Sequence, residues 1–410
     1  MPDPSISFLD QPHGAPHLRS DPEPDALLID DDDRYSRLRL IPWWRQEKLA
    51  AAQVLVVGAG ALGNEVLKNL ALLGIGTTYV IDLDEVEPSN LSRSVLFRAE
   101  DGGQPKAEVA ARRAKEINPD ITVHALRGDV ITDVGLGLFR DVDVVIGCLD
   151  NREARLWVNR QCWKVNTPWV DAGIQEIQGV VRVFVPPDSP CYECGMTAMD
   201  YQLLNLRYSC PLLRREDLQA GKVPTAPTIA SMMAALEVQE ALKLIHGLPV
   251  AAGSLLVFNG VANQFYTTRL PYRDDCLSHE TYPEPVEAPL GCSSTVLELF
   301  QVARAALRGP LTLALDRDLV TSLDCPRCGW SAEVMRPRTK VRQSEAICPT
   351  CREPARPEMV SAIEEGSPLV SRPLAALGIP PYDMVRVDGA DGSGFFLLAA
   401  DRAAAFGPAV

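Results

Sequence analysis

Six of the eleven cysteines fall into Cys-x-x-Cys pairs: Cys191/Cys194, Cys325/Cys328 and Cys348/Cys351. In a reducing compartment such pairs bind a metal ion, usually zinc, or do redox chemistry, whereas structural disulfides are rare. Zinc is the better fit. Nineteen residues separate Cys328 from Cys348, which is the spacing of a four-cysteine zinc ribbon. Thiolate coordination would supply folding energy that so small a module cannot draw from its own core. A rigid knuckle and a docking surface are both open as its role. A second group of residues suits phosphate chemistry. Gly58-Ala59-Gly60-Ala61-Leu62-Gly63 follows an apolar run and opens a helical pattern. Gly58, Gly60 and Gly63 allow a tight turn and let helix N-terminal N–H groups approach a phosphate. Asp82, closing the next β-rich run, fits a ribose. Arg93 and Lys106 then place two cations near the nucleotide, more than a nicotinamide site needs and suited to a triphosphate. Asp150 follows a further buried run and puts a carboxylate where Mg2+ would sit.

These residues need elements to hold them. Residues 54–57 form a continuous apolar run, 62–73 have helical spacing and 77–81 are rich in β-branched residues. Helical stretches at 105–117 and 152–164 separate further strands at 143–148 and 169–170, and 180–185 reads as a strand before Cys191. The fold class that follows is α/β: a Rossmann-type, doubly wound, mostly parallel sheet, with a C-terminal zinc ribbon and a small β-containing module. Thr228 reads as the N-cap of a helix over 229–245 and Gly247 as its C-cap. Residues 1–33, with six prolines and an acidic run at 30–33, read as a disordered tail. An arm and main domain over 34–285 come next, then a linker with one amphipathic helix over 286–310. The ribbon takes 311–362, where 311–315 and 319–323 flank Asp316-Arg317-Asp318 like a hairpin. The module takes 363–410, with strand-like runs at 384–387 and 395–399.

Composition narrows the function classes. The 40 Lys and Arg against 54 Asp and Glu leave a net charge of −14, without the basic excess that general nucleic-acid binding requires. Apolar runs such as 70–75 and 142–147 are far shorter than the roughly 20 residues of a membrane span. Met1 to Pro24 lacks the apolar core of a secretory signal, so the expected compartment is the cytoplasm.

Taken in order, the glycine turn, Asp82, Asn90, Arg93, Gln104-Pro105-Lys106 and Asp150-Asn151 make residues 34–279 resemble the adenylating enzymes (ThiF/MoeB/HesA-type). That family includes ubiquitin-activating enzymes and the sulfur-carrier adenylyltransferases of thiamine and molybdopterin synthesis. The resemblance implies that Asp82 binds the ribose of ATP, that Asn90, Arg93 and Lys106 hold its phosphates, and that Asp150 holds Mg2+. It implies a homodimer in which Arg37, in Arg34-Tyr35-Ser36-Arg37, reaches the γ-phosphate of the partner's ATP. The reaction implied is attack of a protein's C-terminal carboxylate on the α-phosphate. Cys191 and Cys194 match the first half of the family's zinc site, and Cys276-Leu277-Ser278-His279 stands where a second Cys pair is usual, implying Cys276 and His279 as the other ligands. Cys210, flanked by Arg207, Arg214 and Arg215, matches the loop cysteine that takes the activated carboxylate as a thioester, and nearby cations favour a thiolate. The C-terminal module is similar in position to the ubiquitin-like domain that receives a conjugating enzyme, with a plain capping domain as the alternative. Three other functions stay open. A sulfur-carrier adenylyltransferase needs no thioester. A nicotinamide-dependent oxidoreductase leaves Arg37, Arg93, Lys106 and Asp150 without a shared role. A catalytically silent scaffold would bind a small β-grasp partner and nucleotide without turnover.

Overall fold

The computed structural model describes residues 33–202 and 224–406. Residues 33–44 belong to a unit of their own, a turn leading into one 3-10 turn at Leu38–Leu40, with Arg39 and Asp33 paired at 2.8 Å. The second unit begins at Arg45. There α1 (Gln46–Ala51) leads into β1 (Gln53–Val57), whose last four residues are all buried. A strand covered on both faces needs no polar alternation, which is why it reads as a solid apolar run. The chain continues through α2 (Ala61–Leu73), β2 (Thr77–Asp82), α3 (Lys106–Ile117), β3 (Thr122–Arg127), α4 (Leu136–Asp141), β4 (Val144–Gly147), α5 (Arg152–Lys164) and β5 (Trp169–Gln175). These five strands are parallel. Three antiparallel strands extend the sheet: β6 (Gln178–Phe184), β7 (Ser254–Asn259) and β8 (Gln264–Arg269), in the order β3-β2-β1-β4-β5-β6-β7-β8. Every residue of β8, the edge strand, is exposed.

Between β6 and β7 runs α6 (Pro227–His246). It starts one residue before the Thr228 N-cap expected from sequence. Pro227 takes the first helical position, where its fixed φ fits and its missing N–H costs nothing, so Ala226 is the N-cap. Gly247 ends the helix with φ +73°, as expected.

A second sheet begins with β9 (Val286–Ala288) and resumes after α7 (Val296–Ala303), which Thr295 and Glu298 open with a capping box. It contains β10 (Thr312–Asp324), β11 (Ser331–Pro337), β12 (Arg356–Glu364), β13 (Met384–Gly389) and β14 (Gly392–Leu398). The order is β11-β10-β13-β14-β9, with β12 also on β10. This sheet joins the stretches that the sequence reading assigned to linker, ribbon and terminal module. The hairpin expected at Asp316-Arg317-Asp318 is absent: β10 runs through it as one strand whose register on β12 shifts between Ala314 and Leu319. Two of the three are aspartates, which suit turns, but here Asp316 and Arg317 find partners on α5 and Asp318 faces Arg338. Lys164 of α5 pairs with Asp316 at 2.7 Å, and the Arg317 guanidinium lies 4.4 Å from the Trp157 ring centroid and 3.6 Å from Asp383. Asp383 in turn accepts from the Leu136 N–H at 2.7 Å, and the Tyr382 hydroxyl donates to Asp141 at 2.8 Å. Tyr382, Met384 and Leu397 thereby enter the same core as Leu55, Phe139 and Trp163. Among the described residues no helix is long and apolar enough to cross a membrane.

Candidate nucleotide and metal sites

β1 lies between β2 and β4, the place where a doubly wound sheet reverses its order and opens a crevice at the carboxyl ends of its strands. The glycine turn fills that place. Gly58 has φ +102°, and a Cβ on it would lie 2.4 Å from the Cys148 carbonyl oxygen. A Cβ on Gly63 would lie 1.9 Å from the Gly58 carbonyl oxygen, whereas one on Gly60 would meet nothing within 4 Å. Two glycines are thus required by packing, while the third keeps space open before the first turn of α2, whose N–H groups and dipole favour an anion.

Asp82 ends β2 beside this turn, accepting from the backbone N–H of Ala59 at 2.7 Å and of Asp84 at 2.8 Å. Burial pushes its carboxyl above the usual value, against the opposing pull of Lys106 and the two amides. Lys106, largely buried at the start of α3, pairs with Asp84 at 2.8 Å. Asn90 caps a 3-10 turn, its Oδ1 accepting from the Glu87 N–H at 2.9 Å. Arg93 folds back to donate to the Ser89 carbonyl at 2.8 Å. Asp150 is exposed beyond β4, next to Asn151, which caps α5 through the Ala154 N–H at 2.8 Å. The structure therefore gathers Gly58, Gly60, Gly63, Asp82, Lys106 and Asp150 around one end of the sheet. Arg37 is exposed in the separate 33–44 unit. Cys210, with Arg207, Arg214 and Arg215, lies outside the described residues.

Among the described residues two clusters could hold metal ions. In each, the four ligand atoms lie within 4.8 Å of one another: Cys191, Cys194, Cys276 and His279 in one, Cys325, Cys328, Cys348 and Cys351 in the other. Zinc at about 2.3 Å from each sulfur would space tetrahedral sulfurs about 3.8 Å apart. The separations are 3.7 Å for Cys191–Cys194 and 3.5 Å for Cys191–Cys276, Cys325–Cys351 and Cys328–Cys348, with Cys194 Sγ 3.4 Å from His279 Nε2. Backbone amides also face the sulfurs, those of Cys194 toward Cys191, Ser278 toward Cys276, and Cys328 and Arg327 toward Cys325. Such N–H groups stabilise thiolates, a charge that a cation completes, so the donor sets fit zinc. The Trp163 ring stacks on His279 at 5.5 Å and fixes its orientation. Glu193, between the first two cysteines, is buried and bonds Arg160 at 3.0 Å, Tyr201 at 2.9 Å and the hydroxyl of Ser278, which sits between the second two ligands. One carboxylate thus ties both halves together.

Sequence reading missed three supporting groups. Asn64, buried on α2, donates to the carbonyls of Ala59 (2.7 Å) and Gly60 (3.0 Å) and accepts from the Leu96 N–H (2.9 Å), stapling the Arg93 loop to the glycine turn. Asp171 on β5 is fully buried between Arg155 (2.8 Å) and Arg182 (2.7 Å). Glu237 is fully buried on α6. Asp171 carries a signal, an acid inside an otherwise apolar stretch of strand, whereas Asn64 and Glu237 lie on helices with other polar residues and carry none.

A glycine turn, an acid on the next strand and a further carboxylate at the switch of a doubly wound sheet define a mononucleotide-binding α/β layout. The ThiF family model matches residues 33–278. The sulfur carrier protein ThiS adenylyltransferase of Escherichia coli (strain K12) is 33% identical over 247 residues, 59% of this chain and 93% of that protein. The adenylyltransferase and sulfurtransferase MOCS3 of Mus musculus is 34% identical over 66% of this chain, which spans 58% of that protein. The crystal structure of E. coli MccB with ATP aligns over 62% of this chain and 75% of that one, with a TM-score of 0.51 and 25% identity. The chain belongs to the ThiF family.

Proposed function

We propose that this protein is an ATP-dependent activating enzyme for the C-terminal carboxylate of a ubiquitin-like or sulfur-carrier protein. The observation that carries this reading is the gathering of the glycine turn, Asp82, Lys106 and Asp150 at one end of the sheet in a ThiF-family chain. The names of its relatives support it: a sulfur-carrier adenylyltransferase at 33% identity and an ATP-bound MccB with the same fold. One carboxylate oxygen of the carrier attacks the α-phosphorus, the bond to the bridging oxygen breaks, and pyrophosphate leaves. Asp82 holds the ribose, while Asn90, Arg93 and Lys106 steady the phosphates, with Arg37 supplied by the second copy in a homodimer. Asp150 would hold Mg2+, which supplies charge neutralisation at the phosphates. Positioning and fixed charge do most of the work in such a transfer. The two cysteine clusters would hold zinc in a structural role.

The finer reading adds a thioester. The Cys210 thiolate attacks the acyl carbon, AMP leaves, and the carrier passes to a conjugating enzyme. What supports Cys210 is its three neighbouring arginines in sequence and the state of the other cysteines outside the clusters. Burial pushes the Cys148 and Cys162 thiols well above the usual range, and burial with Asp401 pushes Cys292 up to about 11. A protein substrate also needs a docking surface, and the exposed β8, with Phe265 and Tyr266, offers one. The test is the intact mass, under non-reducing conditions, of wild type and Cys210→Ala after incubation with Mg-ATP and the ubiquitin-like protein encoded beside the gene. A thiol-sensitive adduct in wild type alone supports the thioester route. Acyl-adenylate without an adduct places the protein on the sulfur-carrier route, and neither product overturns the proposal.

A further inference from the structure

Behind the glycine turn lies a buried acid that the proposed chemistry does not use. Glu237 is fully buried, its Oε1 has no hydrogen-bond partner, and its Oε2 lies 3.9 Å from Cys148 Sγ. The charged groups around it are engaged elsewhere or repel it. Asp171 of β5 holds Arg155 of α5 and Arg182 of β6. Arg155 directs its remaining reach to the carbonyls of Leu149 and of Ala172, the latter at 3.0 Å. What faces Glu237 otherwise is neutral: the Cys148 thiol beyond β4 and the Ala172 amide of β5. An ionised carboxylate with a bare buried oxygen is costly. Burial first, then Asp171, push the Glu237 carboxyl well above the usual value, against the opposing pull of Arg155, the Ala172 amide and the Cys148 thiol.

Cys148 is where this acid meets the site. Its N–H donates to the Val57 carbonyl at 2.8 Å, its carbonyl closes on Gly58, and its Cβ would stand 3.5 Å from a Cβ on Gly63. Two residues on is Asp150. We infer that Glu237 is a neutral carboxylic acid that positions residues 148–150 against the glycine turn, setting the phosphate end of the site without touching the nucleotide. This rests on the nucleotide reading above.

The experiment compares full-length wild type, Glu237→Gln and Glu237→Leu in Mg-ATP binding by calorimetry and in denaturant unfolding from pH 5.5 to 8.5. Leucine removes the polar contact and should weaken ATP binding about tenfold, and glutamine, neutral and of the same shape, should restore it to within about threefold. The sign of the second readout follows from proton linkage. An acid whose folded pKa is raised contributes stability present below its unfolded pKa and lost as pH rises toward the folded value. The folding constant of wild type should therefore fall relative to Glu237→Gln by up to about tenfold per pH unit across this range. A stability difference that is flat with pH, or glutamine as weak as leucine in binding, overturns the inference. Wild type that binds no Mg-ATP sinks the nucleotide reading instead, and the pH series still decides whether Glu237 is neutral.

Discussion

Substituting Gly63 and Gly60 separately by alanine pulls apart what packing demands of the glycine turn from what a ligand demands. At Gly63 the new Cβ would start 1.9 Å from the Gly58 carbonyl oxygen, so the two must part by at least 1.1 Å to reach even the 3.0 Å that real Cβ atoms respect. The atom in the way is backbone, and the Gly58 N–H is bonded to the Ile81 carbonyl at 2.8 Å, so β2 resists the shift. Overpacking against a rigid neighbour costs about 1–3 kcal/mol, and this contact belongs at the upper end. With about 2.1 cal/mol/K of unfolding entropy per residue over a unit of about 370 residues, 3 kcal/mol lowers Tm by about 4 °C. At Gly60 the φ is −73° and nothing lies within 4 Å, so Gly60→Ala should keep wild-type stability to within about 0.5 kcal/mol. Its methyl group stands where a phosphate must approach, and KM for ATP in carrier-dependent pyrophosphate exchange should rise about tenfold. Thermal unfolding and exchange kinetics on both variants decide the matter. A Gly63→Ala protein that melts with wild type refutes the packing argument, and a Gly60→Ala protein with unchanged KM refutes the reading of the open space as a phosphate seat.

Metal analysis of the purified chain should find about two equivalents of zinc, His279→Ala should lose one of them, and two equivalents in that variant would remove His279 from the ligand set. Phe265→Asp with Tyr266→Ser should raise KM for the carrier protein about tenfold while leaving KM for ATP alone; equal effects on both would show that β8 is not the docking strand. Asp82 accepts best when ionised, and its carboxyl titrates above the usual value, so ATP affinity should fall as pH drops through that raised value; an affinity unchanged between pH 7 and 4.5 would count against its contact with the ribose.

Much of the nucleotide end is local in sequence and could be read there. The glycines, Asp82, Lys106 and Asp150 all sit at strand ends or helix starts whose periodicity is plain, and the helix read over 152–164 is the one observed. The metal clusters were half legible. Cys325 to Cys351 is one compact motif, but Cys191 and Cys276 are 85 residues apart, a closeness that only tertiary folding creates. Asp316-Arg317-Asp318 misled because charge was taken for a turn, when Asp316 and Arg317 meet Lys164 and Asp383 across a packed boundary. Glu237 was hidden for a related reason: helical spacing shows which residues form a face but not how deeply that helix is covered.

The chain leaves the first metal cluster by a short route. Three residues after His279 the Tyr282 N–H bonds the Lys164 carbonyl at 2.8 Å and its ring packs 4.3 Å from Phe395, and four residues later β9 joins β14. The practical consequence concerns where this gene can be cut. A fragment ending at residue 278, where the family match stops, would lack a metal ligand and would strip Tyr382 from α4, baring the core it covers. For expression, crystallisation or domain transplantation the minimal unit therefore runs through β14, and the appended sheet has become part of the catalytic half's own wall.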